Sequence, residues 1–217
     1  TPHEMKHPRP KVLFVDWFLT LSDSLFWFGM EDKSHPYHQA YPRLRAEFWG
    51  SSAELFNSWM RGQIGYEEAC KKLGEKVGAP SDMLVEELKT SCKAMQFVDA
   101  RVPELLGEIR ARGVKIAVAS DNMEVFREFV IPSMGLEKIF DGFLISNELG
   151  CLKKDTKNGK PLFWERFLEQ NGFSPTEAMM LDDNAGVCEI CAKAGMRVTR
   201  IDSPKTLVNT LTELAGV

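Results

Sequence analysis

Side chains able to carry out nucleophilic and metal chemistry follow apolar runs at several points in the chain. In KVLFVDWFLT, residues 11–20, Asp16 directly follows a predicted buried strand, and Thr20 comes four residues later. Further polar residues follow later apolar runs, namely Ser120, Asp121, Asn122, Lys153, Asp182 and Asp183. Carboxylates can attack an electrophile or bind a hard cation, and an amine can neutralise charge at the same place. Their use together requires a fold that brings these segments to one point.

The chain from residue 101 onward alternates strand-like and helix-like segments. Strands are predicted at 114–120 and 142–146, in AMMLDDN and in MRVTRID, with amphipathic helices between them. This alternation is typical of parallel strands joined by right-handed crossovers, with helices on both faces of the sheet. The predicted fold class is therefore α/β, with a doubly wound, Rossmann-like parallel sheet. The carboxyl ends of such strands meet in one crevice, so the polar residues should share one site.

A helical segment interrupts this pattern after the first strand. Residues 22–96 contain no β-branched run, and their helical windows are YPRLRAEFWG, SAELFNSWMRG, YEEACKKLGEKVG and DMLVEELKTSCKAM. We predict a small all-helical cap domain over 22–96 and a core made of residues 1–21 and 97–217. The cap is expected to cover the carboxyl ends of the strands, where open α/β sheets bind ligands.

Composition excludes several partner classes. The 217 residues carry a net charge of −4, and their lysines and arginines are scattered, so we expect no nucleic-acid partner. The apolar stretch 12–30 contains Asp16 and Asp23, each costing about 2.5–3.5 kcal/mol near the middle of a spanning helix, so we expect no membrane role. Five cysteines without framework spacing favour a reducing compartment and a cytoplasmic protein. We expect a monomer or a homodimer.

The motifs and their order resemble those of the haloacid dehalogenase-like (HAD) superfamily of phosphatases and related hydrolases. SNELGCLKKD is similar to the family's S-x-E-x-G-x-x-K-P-D loop, and MLDDNAGVCEICAKAGM to its fourth motif. WMRGQIGYEE is similar to the W-x-x-G-x-I-x-x-E-E of members with a helical cap. The resemblance extends from residue 11 to about 200. It implies a phosphatase-like HAD hydrolase whose cap is inserted after the first motif.

The resemblance also implies a role for each polar residue. Asp16 would be the nucleophile that forms an aspartyl-phosphate, and Lys153 would neutralise charge beside it. Ser120 would hold phosphate oxygens, and Thr20 would orient the loop or donate to Asp16. Mg²⁺ would be held by carboxylates and by the backbone carbonyl of residue 18, through the set Asp16, Phe18, Asp182 and Asp183. A small phosphorylated substrate would be bound by Ser120, Asp121, Asn122, Lys153, Phe18, Arg45 and His38.

The sequence departs from the family pattern at the catalytic centre. Phe18 and Leu19 occupy positions where HAD phosphatases usually carry the Asp and Gly of Asp-x-Asp-Gly-Thr, and Val187 replaces an Asp or Asn of the fourth motif. The missing Asp is the usual general acid and base, a function that typically contributes 10² to 10⁴ in rate. His35 and His38 in the cap could supply a substitute proton, because imidazole titrates near neutral pH.

Alternative functions follow from these departures. The first prediction is a Mg²⁺-dependent phosphatase, slow or specialised for good leaving groups such as acyl or anomeric phosphates. A second is a catalytically impaired HAD domain that binds a phosphorylated ligand or a protein partner. A third is a metal-independent 2-haloacid dehalogenase, which Phe18, Arg43 and Arg45 suit but the paired Asp182 and Asp183 do not. Phosphonoacetaldehyde hydrolase, also a relative, would need Lys33 as its Schiff-base lysine.

Overall fold

A five-stranded parallel sheet forms the centre of the molecule. The structure, a computed structural model, describes residues 7–49 and 53–217. The strands are β1 (Val12–Val15), β2 (Lys115–Ser120), β3 (Gly142–Ile145), β4 (Thr156–Lys157), β5 (Lys160–Pro161), β6 (Ala178–Asp182) and β7 (Arg197–Arg200). The sheet has the order β3-β2-β1-β6-β7, and a short hairpin of β4 and β5 stands apart from it. The predicted α/β Rossmann-like core is confirmed.

Helices connect the strands and fill the interval between β1 and β2. They are α1 (Tyr41–Trp49), α2 (Ala53–Met60), α3 (Tyr66–Val77), α4 (Ser81–Lys93), α5 (Val102–Ala111), α6 (Ile131–Met134), α7 (Ser146–Leu149), α8 (Leu162–Asn171), α9 (Ala185–Lys193) and α10 (Pro204–Ala215). The helices that follow β2 flank the sheet. The helices α1 to α4, between β1 and β2, match the predicted helical windows. In the part of the chain that the structure describes, no helix combines the length and apolarity needed to span a membrane.

Alternation along β1 divides the core between the two faces of the sheet. Leu13 and Val15 belong to the larger apolar cluster, which also contains cap residues such as Leu44 and Trp59. Phe14 faces the opposite side, where it packs edge-on against Phe167 at 5.4 Å between ring centroids. Successive side chains of a strand point to opposite faces, so one central strand serves both clusters. The cap helices and the sheet therefore share one continuous core on the first face.

Two segments differ from the sequence-based expectation. The stretch MEVFREFVIPSMG was predicted to be one helix, but it contains a π-helical segment, Phe126–Val130, followed by the short α6. Pro132 has no N–H to give to the carbonyl four residues earlier, which disrupts the regular α-helical ladder there. The sequence analysis also did not predict the short β4–β5 hairpin, residues 156–161. Asn158 and Gly159 both have positive φ there, as the tightest hairpin turns require.

Candidate active site

The predicted metal-binding acids meet at the carboxyl edge of the sheet. Asp182 ends β6, and Asp16 directly follows β1, which pairs with β6 so that Val15 lies opposite Leu181. The backbone N–H of Asp16 donates to the carbonyl of Leu181 at 2.9 Å, which extends this pairing by one residue. Carboxylate oxygens of Asp16, Asp182 and Asp183 all lie within 4.8 Å of one another. Parallel pairing thus brings together residues far apart in the sequence.

Lys153 is the cation of this cluster. Its Nζ lies 2.7 Å from Asp16 Oδ1 and 2.7 Å from Asp182 Oδ2, and it donates to the carbonyl of Ala119 at 3.2 Å. The side chain is buried, and an ammonium group has three donors, so these three acceptors satisfy it fully. The backbone N–H of Lys153 donates to Asp121 Oδ1 at 2.9 Å. Residues 150–155, which we call the lysine loop, are therefore attached both to the strand ends and to the loop after β2.

Burial dominates the electrostatics of the cluster. Burial raises the pKa of the Asp16 carboxyl well above its usual range, although Lys153 opposes the shift. Burial likewise raises the pKa of Asp182 and of Asp121. For Lys153, burial works to lower the pKa, but the surrounding carboxylates outweigh it and the pKa is raised. The cluster therefore favours a charged lysine among more acids than one ammonium group can neutralise.

This donor set fits a hard divalent cation. Three carboxylates whose oxygens lie within 4.8 Å of one another supply oxygen ligands of the kind that Mg²⁺ prefers. A divalent ion would offset their excess negative charge. Asp183 is only partly buried, so the cluster is open toward that side. The proposed ligation by the main-chain carbonyl of Phe18 stays a prediction.

A tight loop after β1 holds Asp16 in place. The carbonyl of Trp17 accepts hydrogen bonds from the N–H groups of Thr20, Leu21 and Ser22. The Oγ1 of Thr20 lies 3.4 Å from Asp16 Oδ2, within reach of the predicted donation. Leu19 stands where related phosphatases usually carry Gly, and its φ of 62° lies in the left-handed region. The loop thus requires a conformation that favours glycine, and this chain adopts it with leucine at a cost in strain.

The loop after β2 reaches the same edge of the sheet. The Nδ2 of Asn122 lies 3.3 Å from the Oγ of Ser120, and both side chains are buried. The backbone N–H of Asn122 donates to Ser146 Oγ at 2.9 Å, and that hydroxyl donates back to the Asn122 carbonyl at 3.0 Å. These bonds fix the loop that carries Asp121 beside the lysine loop.

A cavity of about 230 Å³ lies between the sheet edge and the cap helices. Phe18, Arg45, Asp121 and Asn122 are among the residues that line it, so four predicted substrate-binding residues share its wall. Trp17, the sequence neighbour of Asp16, also lines it, whereas Thr20 and Asp183 line a separate cavity. Sequence reasoning missed Tyr41, a further lining residue, because nothing in its surroundings marks it as more than a core aromatic.

The two cap histidines lie elsewhere. The Nδ1 of His38 is 2.9 Å from the carbonyl of Met30, and the Nε2 of His35 is 2.9 Å from Glu87 Oε1 on α4. Neither histidine lines the cavity. The side-chain contact with Glu87 and the backbone contact hold this turn against the cap itself. The arrangement gives no support to the predicted roles of His38 in substrate binding or of either histidine as a proton donor.

Polar contacts between cap and core were also missed by sequence reasoning. Arg61, just after α2, forms a bidentate ion pair with Asp155 in the lysine loop, with Nη2 lying 2.9 Å from Oδ1. The Nε1 of Trp59 donates to Glu124 Oε2 at 2.8 Å. The first pair is separated by 94 residues, so no local spacing could have revealed it. Both contacts tie the cap to loops that border the site.

The described residues form a Rossmann-like α/β core with a helical insertion after its first strand. A model of the haloacid dehalogenase-like hydrolase family matches residues 11–195, and the chain belongs to that family.

Curated relatives share part of the chain at low identity. The chain is 26% identical over 180 residues to mouse acyl-CoA dehydrogenase family member 10, covering 80% of this chain but 16% of that protein. It is 22% identical over 152 residues to phosphoserine phosphatase of Methanocaldococcus jannaschii, covering 67% of this chain and 69% of that enzyme. The chain thus spans about a sixth of the length of the mouse relative.

Solved structures share the fold. A HAD family enzyme from Bacteroides thetaiotaomicron, in complex with magnesium and inorganic phosphate, superposes with a TM-score of 0.64 at 15% identity, covering 88% of this chain and 93% of its own. The L-2-haloacid dehalogenase of Xanthobacter autotrophicus, with chloropropionic acid covalently bound, gives 0.63 at 16% identity, covering 94% and 82%. At these identities the likeness concerns the fold alone.

Proposed function

We propose that the protein is a Mg²⁺-dependent phosphatase that hydrolyses a small phosphorylated metabolite through an aspartyl-phosphate at Asp16. The observation that carries the proposal is the cluster itself: one buried lysine 2.7 Å from each of two carboxylates, with a third acid within 4.8 Å. An anionic phosphoryl group can approach Asp16 only where its own charge and that of the carboxylates are neutralised. Lys153 and a divalent ion held by the acids would together provide that neutralisation.

We assign the attack to the Oδ2 oxygen of Asp16. Lys153 Nζ lies 2.7 Å from Oδ1 of Asp16, whereas Thr20 Oγ1 lies at the longer distance of 3.4 Å from Oδ2. Attack by Oδ2 forms the new bond to phosphorus as the bond to the leaving oxygen breaks. Water then attacks phosphorus, and Asp16 leaves as a carboxylate with release of inorganic phosphate. When bound, Mg²⁺ would supply charge neutralisation at the transferring oxygens. Asp16, Asp182 and Asp183 are the residues that would hold it.

Asp121 is our candidate for the proton donor that Phe18 cannot provide. It lines the cavity, and the N–H of Lys153 orients its carboxylate. Burial raises the pKa of Asp121, which keeps the group protonated to higher pH, as an acid catalyst requires. Asp121→Asn should slow alkyl phosphates by about tenfold or more, since their leaving oxygens need a proton. It should leave p-nitrophenyl phosphate, whose leaving group needs none, nearly unchanged. Equal losses on both substrates would remove Asp121 from this role.

The decisive experiment for the phosphatase is a hydrolysis screen of p-nitrophenyl phosphate and acetyl phosphate, with Mg²⁺ and with chelator. We expect turnover that requires Mg²⁺ and that Asp16→Asn abolishes. Asp23→Asn, which changes an exposed acid in the same segment, is the matched control and should retain activity. Silence on both substrates would refute the phosphatase. Retained binding of Mg²⁺ or inorganic phosphate in that case would favour the impaired binding domain.

A metal-independent 2-haloacid dehalogenase is the second candidate, because Phe18 and Arg45 both line a largely apolar cavity. Attack on carbon needs no metal, so such an enzyme would have no use for the third acid, Asp183, close to Asp16 and Asp182. Release of chloride from 2-chloropropionate in chelator, lost in Asp16→Asn, would establish the dehalogenase. If no chloride is released in this assay, the phosphatase better explains why Asp16, Asp182 and Asp183 lie together.

A further inference from the structure

The cavity between core and cap is lined mainly by aromatic and sulfur-containing side chains. Its volume is about 230 Å³. Methionines contribute flexible, polarisable surface that adapts to different ligand shapes, and Met60, Met95 and Met123 all line it. The phenylalanine and tryptophan side chains of the wall are Trp17, Phe18, Phe26, Trp27, Phe48 and Phe56. Such a wall can desolvate a planar or alkyl group but offers little to a polyhydroxylated one.

Two residues that line the cavity each have a buried polar atom without a partner. Among the described residues, neither Trp17 Nε1 nor the Tyr41 hydroxyl has a hydrogen-bond partner, although the two residues are only 2% and 3% exposed. Trp17 is held by edge-on packing against Phe126, with 5.1 Å between ring centroids. Buried N–H and O–H groups are normally paired, so each unpaired one calls for an explanation. Both can donate, and an acceptor oxygen would satisfy either of them.

A cation stands next to one of these groups. Arg45 lies one helical turn after Tyr41 on α1, and its guanidinium carbon is 5.8 Å from the centroid of the Tyr41 ring. Both residues line the cavity from the cap, whereas Asp121 and Asn122 line it from the core. A hydroxyl donor beside a guanidinium favours a negatively polarised or anionic oxygen. The cap wall therefore has one polar corner in otherwise apolar surroundings.

We propose that this cavity binds the leaving group of the substrate, and that this group is an apolar ring or alkyl body carrying an acceptor oxygen that Tyr41 binds. The proposal rests on the phosphatase function, because it places the phosphoryl group at Asp16, next to Trp17 and Phe18. It names the substrate class as monophosphates of aromatic or alkyl alcohols or acids, not sugar phosphates.

The size of the cavity agrees with this class. An apolar cavity of about 150 Å³ suffices for a benzene ring. The volume of about 230 Å³ leaves room for a substituted or a fused ring. The hydroxyls of a sugar would each need a partner, and most of the wall offers none. Size and polarity thus both favour the apolar body.

The first test compares catalytic efficiency within a matched series of phosphate esters. We expect kcat/KM to rise from phenyl phosphate to 2-naphthyl phosphate, and to be at least about tenfold lower for glucose 6-phosphate and glycerol 3-phosphate. Turnover that prefers the sugar and glycerol esters would overturn the inference while leaving the phosphatase intact. If no ester is hydrolysed, the phosphatase proposal is refuted. The proposed cavity ligand is then tested by a binding measurement.

The binding measurement is calorimetric titration of the protein with 2-naphthoate in the presence of chelator. This ligand is an apolar ring that carries acceptor oxygens. Binding is expected, and Tyr41→Phe should weaken it by about two- to tenfold, the loss of one hydrogen bond. Tyr66→Phe, a tyrosine that does not line the cavity, is the control and should bind as the unmodified protein does. Absence of naphthoate binding would overturn the inference whether or not the protein is a phosphatase.

A stability readout separates a ligand-binding hydroxyl from a structural one. Tyr41→Phe removes an unpaired buried hydroxyl, so it should leave Tm unchanged or raise it. The same variant should raise KM for 4-carboxyphenyl phosphate but not for phenyl phosphate, which has no distal acceptor. A lower Tm in Tyr41→Phe, or equal KM changes on the two esters, would contradict the proposed contact.

Discussion

Replacing Lys153 with methionine tests the electrostatic reasoning most directly. The lysine side chain is 4% exposed, and it is the ammonium group between Asp16, which is 6% exposed, and Asp182, which is fully buried. Methionine keeps much of the volume but leaves both carboxylates without their cation. Breaking a buried ion pair in this way costs about 3–5 kcal/mol of unfolding free energy. The whole domain has about 5–15 kcal/mol, so the loss would be a large fraction.

The assay is urea unfolding at pH 7, with and without Mg²⁺. If the acids bind the ion, Mg²⁺ at 100 times its Kd should restore about 2.7 kcal/mol. The deficit should also shrink in acid. Burial already raises the pKa of Asp16 and Asp182, and losing the lysine raises both further. A carboxyl whose pKa is raised on folding stabilises the folded state in its protonated form and loses that contribution as pH rises through its folded pKa. The variant should therefore be weakest at neutral pH and recover as the pH is lowered.

Lys154→Met is the matched control, because that neighbouring lysine is exposed. It should change the unfolding free energy by less than about 0.5 kcal/mol. A Lys153→Met deficit below about 1 kcal/mol, or one that does not respond to pH, would refute the account of a buried lysine that balances the acids.

Further substitutions test the neighbouring features. Leu19→Gly should stabilise the protein by up to about 1 kcal/mol in thermal unfolding, because glycine adopts φ of 62° without strain; a lower Tm would contradict this. Phe18→Asp should raise turnover of alkyl phosphates by about 10² or more if a general acid is what the site lacks, and an unchanged rate would argue otherwise. Asp183→Asn should weaken Mg²⁺ binding, measured by calorimetry, by about tenfold with little change in stability, whereas unaltered affinity would exclude it as a ligand. A double-mutant cycle on Arg61 and Asp155 should give a coupling of about 1 kcal/mol in urea unfolding; near-zero coupling would show that their contact does not stabilise cap docking.

Several features could be read from the sequence because they depend on local pattern. The strands around Val12–Val15 and Ala178–Asp182 are uninterrupted apolar runs, as expected of strands buried on both faces. The start of α10 is marked locally by the N-cap Ser203, whose side chain accepts from the N–H of Thr206. The Asn158-Gly159 turn carries an equally local signal, which the sequence analysis did not use. Local chemistry thus fixes where elements begin and end.

The sequence by itself determined the α/β core, the helical segment between β1 and β2, and the acids and lysine at the strand ends. It could do so because parallel topology sends every strand's carboxyl end to the same edge, whatever the separation along the chain. Only the tertiary structure decided that Lys153 bridges Asp16 and Asp182, that His38 lies away from the cavity, and that Tyr41 and Arg45 face it together. These outcomes depend on how the cap helices pack against the sheet, and that packing is set by contacts between residues distant in sequence, which no local spacing encodes.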